Sequence, residues 1–552
     1  MPQYLSPGVY VEEVPSAVKP IAGVSTSTAG FIGIVAEQLA VPPTFARRTQ
    51  RIVKVDGTTQ TFDLDAYPVV TTPNTYEVRV GNQQVAATLS NKKDKDNEKS
   101  QVTLTEVPTK GSVITVEYTV DAQRGIEIGD ASKTKFTLQT KGLPVVTDPN
   151  WFNIAIGDDA ATARRYEATI DNTIGDNGVT VTATITEEIK DDQKSKKVFA
   201  DFRTFQPFKP TVPVKEAKLC TNFTEYKNAF GDFSLDPNHR QLTHAVYGFF
   251  NNGGTRCYVV RVTKEKEDIV AALQALELVD DISLVAAPGF TSNTSRTEIV
   301  THCEKMGRFA ILDGPATANK LQDLTTVGGS GLMPGRTDYA AWYFPWIKVF
   351  DPVAEKYAGV PDGLVAMPPS GHIAGVYARV DDERGVHKAP ANETIRGALD
   401  VTQRLSKAHQ DGLNPKGVNC IRLLNDNILI WGARTVGGDS NTDLKYINVR
   451  RTLLFLRHSI DLGTQWVVFE PNSPALWQRI TRSVTGFLMN VWRSGALFGD
   501  TPAQAFYVKC DKETNPQSSI DAGQVITEIG VAIVRPAEFV IFRISQMAGG
   551  GA

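Results

Sequence analysis

The chain has 552 residues, of which 41% are hydrophobic and 22% charged, and its formal net charge at pH 7 is −3. This length predicts two to four domains, and the balanced charge excludes the basic footprint of a nucleic-acid-binding protein. No apolar run reaches the roughly 18 residues of a membrane-spanning segment, and the first residues lack the pattern of a secretory signal. We therefore expect synthesis in the cytoplasm, where five isolated cysteines would stay reduced and buried.

The N-terminal segment is predicted to be an extended arm. Residues 4–14 read YLSPGVYVEEV, and Pro7, Pro15 and Pro20 are incompatible with a helix interior. We assign residues 1–20 to this arm. The run Ala29–Val35 (AGFIGIV) follows and is predicted to be a buried strand that opens the core.

Residues 47–202 have a different character, rich in Thr and Val, with apolar positions that alternate as in half-buried strands. The stretch PVVTTPNTYEVRVG at residues 68–81 returns as PVVTDPNWFNIAIG at residues 144–157. We interpret this repeat as two tandem small β-domains inserted into the core, at residues 47–121 and 122–202. Within the first, Pro108–Gly111 predicts a type I turn, and Asn91–Ser100 predicts an exposed hairpin loop.

After residue 202, short β-branched runs alternate with helical patterns. Strands are predicted at Arg256–Val262, Ile282–Ala287 and Phe309–Asp313, and helices at Asp268–Leu278 and Thr294–Met306. This alternation indicates a sheet covered by helices. The predicted fold class is therefore a multidomain α+β protein with a mixed α/β core built from residues 21–46 and 203–524.

Two long amphipathic helices are predicted towards the end of the core, and both apolar stripes are expected to pack inside it. The first helix has Asn441 or Thr442 as its expected N-cap, and the second has Ser473 as N-cap with Pro474 at its first position. The stripe of the first helix is Tyr446, Val449, Leu453, Leu456 and Ile460. The stripe of the second helix is Leu476, Ile480, Val484, Phe487 and Val491.

The C-terminal stretch Val525–Gln546 contains two apolar runs separated by Arg535 and Pro536. Its β-branched and aromatic residues favour strands, and residues 525–552 are assigned to a C-terminal strand region and arm. A terminal apolar strand either pairs inside its own domain or is available to another molecule. Strand-like arms at both ends of one chain favour β-strand addition between chains.

The search for catalytic chemistry is negative. The sequence lacks a phosphate-binding GxxxxGK[ST] loop, an HExxH metal motif, a GxSxG nucleophile motif and paired CxxC motifs. Asp313, at the end of a predicted strand, is the residue best placed for an active site in an α/β enzyme, although a helix-capping or turn role is favoured. We predict no catalytic residue, no cofactor and no metal site.

Seven segments resemble contractile tail sheath proteins, which occur in contractile bacteriophages, phage-tail-like bacteriocins and extracellular contractile injection systems. The resemblance spans residues 1–40 and 205–546, and residues 47–202 fall where that family carries variable insertions. The segments are SPGVYVEEV (6–14), GGTRCYVVRV (253–262), AAWYFPWIKVFDP (340–352), PPSGHIAGVYARVDDERGVHKAPAN (368–392), GARTVGGDSNTDLKYINVRR (432–451), FEPNSPALWQRI (469–480) and IVRPAEFVIFRISQ (533–546).

The resemblance implies a structural subunit that stacks in hexameric rings around an inner tube and contracts from a metastable extended state. Its implied partners are other copies of the chain, an inner tube protein, and baseplate and terminator or cap proteins. It also implies that N- and C-terminal arms of different subunits complete a small β-sheet on a third. The residues expected in this exchange are Val9, Tyr10, Val11, Glu12, Val14, Glu538, Phe539, Val540, Ile541, Phe542, Arg543 and Ile544.

Two alternative functions remain compatible with the residues taken alone. One is an α/β enzyme with a β-rich accessory domain, which depends on the β-α-β alternation and Asp313. The other is a surface adhesin carried by the two β-repeats. Under the sheath interpretation, the protein would be found in a phage tail or a contractile injection particle.

Overall fold

The predicted strand Ala29–Val35 lies in the interior of the main sheet of the protein, between two parallel neighbours. The structure is a computed structural model that describes residues 20–41, 47–53, 55–64, 69, 76–94, 97–119, 123–140, 144–145, 152–160, 162–175, 178–202, 204–328, 331–357, 360 and 362–541. The chain enters the core through β1 (Ala29–Ile34) and β2 (Leu39–Val41). The predicted opening strand is therefore confirmed.

The first inserted region is built entirely from strands within the described residues. A four-stranded sheet has the order β3-β9-β5-β6, and a three-stranded sheet has the order β4-β8-β7. Its strands are β3 (Arg47–Ile52), β4 (Thr61–Leu64), β5 (Glu77–Val80), β6 (Gln83–Gln84), β7 (Ala87–Asp94), β8 (Asn97–Leu104) and β9 (Ile114–Thr119).

The second inserted region repeats this strand order in sheets β10-β16-β12-β13 and β11-β15-β14. In both regions the first and last strands pair, with Arg47 opposite Thr119 and Gln123 opposite Phe202. The repeated sequence supplies β5 and β12, which take equivalent places. The strands are β10 (Gln123–Asp130), β11 (Lys135–Leu138), β12 (Asn153–Gly157), β13 (Arg164–Tyr166), β14 (Ala168–Gly175), β15 (Gly178–Ile185) and β16 (Lys197–Phe202).

Two local predictions in the first region were wrong. Asn91–Ser100 is mostly strand, because β7 and β8 continue until Asp94 lies opposite Asn97. The expected type I turn is shifted by one residue, since Ser112 N donates to Thr109 O at 3.1 Å. Gly111 in that turn has a φ of +83°, which is the geometry of a type II turn.

The core after the insertions alternates helices with strands, as expected. Strand β2 pairs with the first of these elements, β17, at the base of the inserted regions. The elements are β17 (Gln206–Phe208), β18 (Ala217–Cys220), α1 (Phe223–Phe230), α2 (Pro237–Asn251), β19 (Cys257–Val262), α3 (Glu265–Glu277), β20 (Leu284–Ala286), α4 (Asn293–Met306), β21 (Phe309–Asp313), β22 (Ala340–Phe344), β23 (Ile347–Phe350), α5 (Pro352–Tyr357), β24 (Leu364–Met367), α6 (Ser370–Arg384), β25 (Glu393–Thr394), β26 (Ala398–Val401), α7 (Lys407–Leu413), β27 (Val418–Leu424) and β28 (Asn427–Ile430).

The central sheet has nine strands in the order β18-β19-β1-β20-β21-β22-β27-β28-β25. The six strands from β19 to β27 are parallel, and the outer strands are antiparallel. Adjacent residues of β1 point to opposite faces: Phe31 packs in the cluster with α2 and α6, and Ile32 in the cluster with α3 and α4. This arrangement confirms the mixed α/β core, in which β1, from before the insertions, is an interior strand of the sheet.

The C-terminal part contains α8 (Ile447–Thr464), α9 (Pro474–Arg493), α10 (Pro502–Ala505), β29 (Phe506–Lys509), α11 (Gln517–Asp521) and β30 (Glu528–Val531). Helix α9 begins as predicted, with Ser473 Oγ accepting from Leu476 N at 3.4 Å. The predicted cap of α8 was wrong, because Thr442–Leu444 forms a separate 3-10 turn and Tyr446 takes the N-cap position. No helix in the described ranges is long and apolar enough to cross a membrane.

Candidate functional site

Asp313, the candidate active-site residue, holds two backbone segments together. Its buried carboxylate accepts hydrogen bonds from Ser370 N at 2.9 Å, Ser370 Oγ at 2.7 Å and Gly289 N at 3.1 Å. Ser370 is the first residue of α6, so the carboxylate caps this helix from the end of β21. The favoured capping role is confirmed. Among the described residues, no group of three or more His, Cys, Asp or Glu side chains could hold a metal ion.

Four of the residues predicted to exchange strands lie within the described part of the chain. Glu538 contacts the core, whereas Phe539, Val540 and Ile541 are exposed and lie outside any strand. The remaining eight lie outside the described residues. These are Val9, Tyr10, Val11, Glu12, Val14, Phe542, Arg543 and Ile544.

The carboxylate of Glu538 accepts four hydrogen bonds from its own core. One oxygen accepts from Asn414 Nδ2 at 2.7 Å and Arg434 Nε at 2.8 Å, and the other from Arg434 Nη2 at 2.8 Å and Tyr446 Oη at 3.1 Å. The side chains of Arg434 and Glu538 are 3% and 19% exposed. Burial opposes ionisation of Glu538, but the hydrogen bonds from Arg434 and Asn414 outweigh it and lower its pKa. Glu538 is therefore held as a carboxylate inside its own subunit.

The three residues after Glu538 are apolar and exposed. Phe539, Val540 and Ile541 are 71%, 69% and 79% exposed. A contiguous exposed apolar stretch is a typical site for interaction with another chain.

Strands β29 and β30 form a separate two-stranded antiparallel sheet. On its outer face the ring of Tyr507 covers Gly530, the residue directly opposite. Along β29 and β30 neither strand has a second partner strand among the described residues. Just beyond β30, Ile533 forms an isolated antiparallel bridge with Leu497. The inner face is apolar and packs in the cluster that contains α9; its side chains are Phe506, Val508, Ile529 and Val531. Packing against the helix stabilises this pair of strands, and its edges could accept further strands.

The N-terminal segment that precedes β1 lies along helix α8. Val24 N donates to Ser459 Oγ at 3.1 Å, and Arg451 Nη2 donates to Thr26 O at 3.0 Å. Near the end of α8, Gly463 leaves room for Ile21, which a Cβ would approach to 2.5 Å. The segment therefore runs antiparallel to α8, and residue 20 lies near the C-terminal end of this helix.

The sequence analysis missed Arg434, Asn414 and Tyr446 as partners of the C-terminal arm. Arg434 and Tyr446 stand in the segment GARTVGGDSNTDLKYINVRR, but nothing in the sequence links them to Glu538, which is 104 residues beyond Arg434. The one available signal is the single acidic residue in the apolar stretch IVRPAEFVIF, since a lone carboxylate among apolar residues requires a partner.

Comparison with known families accounts for the core and the C-terminal part. The phage tail sheath protein central domain matches residues 263–436, and the phage tail sheath C-terminal domain matches residues 439–547. Together they match just over half of the chain. The chain belongs to the phage tail sheath family. This family is structural, so the enzyme alternative is rejected.

A related tail sheath protein is found in Burkholderia phage BcepMu. It is 26% identical over 268 residues, which cover 46% of this chain and 53% of the phage protein. The chain thus spans about half the length of this relative.

Two solved structures show the same fold over most of their length. A chain of the anti-feeding prophage baseplate is 31% identical with a TM-score of 0.52. The match covers 61% of this sheath protein and 90% of the baseplate chain. A chain of the sheath complex of the extracellular contractile injection system PVC, in its contracted state, is 30% identical with a TM-score of 0.53. This match covers 61% of this sheath protein and 88% of the injection-system chain. About two fifths of this sheath protein therefore have no counterpart in either structure.

Proposed function

We propose that this protein is the structural subunit of a contractile tail sheath. Its copies would stack as hexameric rings around an inner tube, and contraction of the extended lattice would drive the tube through a target envelope. Family membership and the fold shared with the contracted sheath of an injection system support this function. The proposed partners are further copies of the chain, the inner tube protein, and baseplate and terminator proteins. We also propose cytoplasmic synthesis, followed by assembly into a phage tail or an injection particle.

The joints between subunits are proposed to be exchanged strands. A strand of residues 539–544 would leave its own subunit and add to the sheet β29-β30 of another copy, and residues 9–14 of a third copy would add at the opposite edge. The exposed apolar stretch Phe539–Ile541, in a subunit whose C-terminal sheet has only two strands, is the observation that supports this proposal. Apolar side chains of the donated strands would extend the inner face that packs on α9.

Such joints hold subunits by many small contributions. Each backbone hydrogen bond contributes about 0.5–1.5 kcal/mol net, and burial of an exposed apolar side chain contributes about 1.5–3 kcal/mol. The contributions repeat at every subunit, while the linkers between strand and core can bend. Rings could then rotate and close up without separating. The energy for contraction would be stored in a kinetically trapped extended lattice, and no nucleotide would be consumed.

The C-terminal exchange is tested by truncation after Glu538. This variant retains β30 and the contacts of Glu538 but removes the proposed donated strand. We expect hollow tubes from the full chain and monomers from the truncated chain in negative-stain micrographs. A second variant, Val540→Asp, should also lower tube yield by at least about tenfold, because a buried unpaired charge is costly.

The matched control is Leu278→Asp, which changes an apolar side chain of similar exposure (87%) far along the chain from the termini. This variant should assemble like the unchanged protein. Tubes from the truncated chain would contradict the proposed exchange and leave family membership untouched.

A further inference from the structure

The C-terminal arm leaves its small sheet several residues before the exposed apolar stretch Phe539–Ile541. Beyond β30, the backbone of Val534 is still bound to the C-terminal part: its N–H donates to Ala496 O at 3.2 Å, and its carbonyl accepts from Asn448 Nδ2 of α8 at 3.2 Å. Arg535 makes one exposed contact, with Asp443 at 3.3 Å, and Pro536 has no N–H to donate. The chain then reaches Glu538, which is bound to the central domain.

Arg434, the main partner of Glu538, is itself fixed to the central sheet. Its backbone N–H donates to Asn419 Oδ1 at 2.8 Å, and its carbonyl accepts from Asn419 Nδ2 at 2.8 Å. Asn419 is a buried residue of β27 and also donates to Trp342 O of β22 at 3.2 Å. The remaining nitrogen of Arg434, Nη1, donates to Asn414 O and Asp439 Oδ1. The backbone and Nη1 of Arg434 are thus held by the central domain, whereas Nε and Nη2 bind Glu538.

We propose that Arg434 and Glu538 form a clamp that anchors the C-terminal arm to its own subunit. This clamp stays closed both in the free subunit and in the assembled sheath. Pull on the donated strand would pass from Glu538 through Arg434 and Asn419 into the central sheet. This inference rests on the proposed strand exchange, because only an exchanged arm carries such a pull. Glu538 is then a positioning residue of its own subunit, and the donated strand begins at Phe539.

The geometry favours a clamp that stays closed over one that opens when subunits assemble. A planar guanidinium that meets a carboxylate through two parallel hydrogen bonds is among the strongest side-chain contacts and fixes direction as well as distance. Asn414 and Tyr446 occupy the remaining acceptor positions of Glu538. Opening the clamp would leave a mostly buried arginine without its partner, and breaking such a pair is strongly unfavourable.

The test compares Glu538→Gln with Arg535→Gln in the full-length chain. Glu538→Gln keeps the size of the side chain and the whole donated strand but removes the charge. Arg535→Gln removes the exposed ion pair three residues earlier and is the matched control. The readout is the lowest concentration at which tubes form, measured by sedimentation, with thermal unfolding of the free subunits as a check that both variants fold.

If the clamp anchors the arm, Glu538→Gln raises the lowest concentration at which tubes form by at least about tenfold, since hydrogen bonds to charged groups are worth a factor of ten or more. The control Arg535→Gln should stay within about twofold, because an exposed ion pair contributes little. Arg434→Met should resemble Glu538→Gln, and the double variant should add little, because the two residues act as one unit. An unchanged concentration for Glu538→Gln would contradict the proposed clamp. A lowered concentration would also contradict it and would show that the contact must open for assembly.

The truncation after Glu538 separates the two proposals. Tubes from that truncated chain would contradict strand exchange itself. If tubes require the full chain but form equally well with Glu538→Gln, only the clamp is contradicted.

Discussion

At the scale of single residues, Asp313 shows that a carboxylate at the end of a parallel strand can have a purely structural role, because it caps α6 at Ser370 and binds Gly289 N. Burial raises its pKa to about 6, because hydrogen bonds from Ser370 and Gly289 only partly offset the desolvation. Arg296 lies nearby, but it donates to the carbonyl of Asp313 and not to the carboxylate. The native state therefore favours the protonated form of Asp313 more than the unfolded state does.

This shift predicts a pH dependence of stability. The native state retains the proton of Asp313 up to pH about 6, whereas the unfolded state loses it near pH 3.8. The contribution of Asp313 is thus fully present below the unfolded pKa and is lost as pH rises through the native pKa, by up to ~3 kcal/mol. In Asp313→Asn this loss is absent. Unfolding free energies of free subunits between pH 4 and 7 should therefore shift in favour of Asp313→Asn as pH rises, and parallel curves would contradict the prediction.

At the scale of elements, helices α2 and α6 pack closely because glycines line their contact. A Cβ on Gly375 would lie 2.4 Å from the carbonyl oxygen of Phe249, and one on Gly371 would lie 2.4 Å from Ala245. Backbone atoms cannot yield as a flexible side chain does. The segment PPSGHIAGVYARV thus contains glycines at positions where a side chain would push the two helices apart.

Gly375→Ala is expected to destabilise the subunit by about 1–3 kcal/mol through overpacking. Gly486→Ala is the matched control, since Gly486 also lies inside a helix but has open space around it. This control should stabilise by about 0.5–1 kcal/mol, because alanine favours the helix. Chemical unfolding of both variants measures the difference. Equal effects would show that the two helices can separate freely.

The accuracy of the sequence predictions follows the range of the interactions involved. Strand β21 and the start of α9 are encoded in local patterns: a short apolar run, and Ser473 followed by Pro474. The start of α8 was missed because Arg434 pairs with Tyr446 in an isolated bridge that displaces the expected cap. Glu538 was assigned to the exchanged strand because its partners are remote in sequence. Periodicity describes one face of one element and does not identify what covers that face.

At the scale of the whole molecule, the inserted regions are attached through paired strands at their base. Val41 of β2 lies opposite Gln206 of β17, so the chain leaves and re-enters the core at neighbouring points. The strand pairs that close each region lie beyond this base. We propose on this ground that residues 47–121 and 122–202 are independent domains and are dispensable for the sheath.

Replacement of residues 42–204 by a short glycine-containing turn should leave a folded subunit, because antiparallel neighbours can be joined by a tight hairpin. Tubes should still form, with thinner walls in negative-stain micrographs. Removal of residues 122–203 alone is the companion variant and should give walls of intermediate thickness. A soluble, folded deletion variant that fails to form tubes would show that the insertions contribute to assembly.

The attachment of both termini to α8 has a mechanical consequence. The C-terminal arm is held at Tyr446 and Asn448, where this helix begins, and residues 21–26 follow the same helix towards its end at Thr464. The two attachment points are separated by about 25 Å of helix. In a lattice joined through both ends, every subunit would then act as a link of fixed length in a chain. The distance between the two attachment points would then be the same before and after contraction, and such a lattice would shorten by tilting its subunits and bending the linkers to the joints.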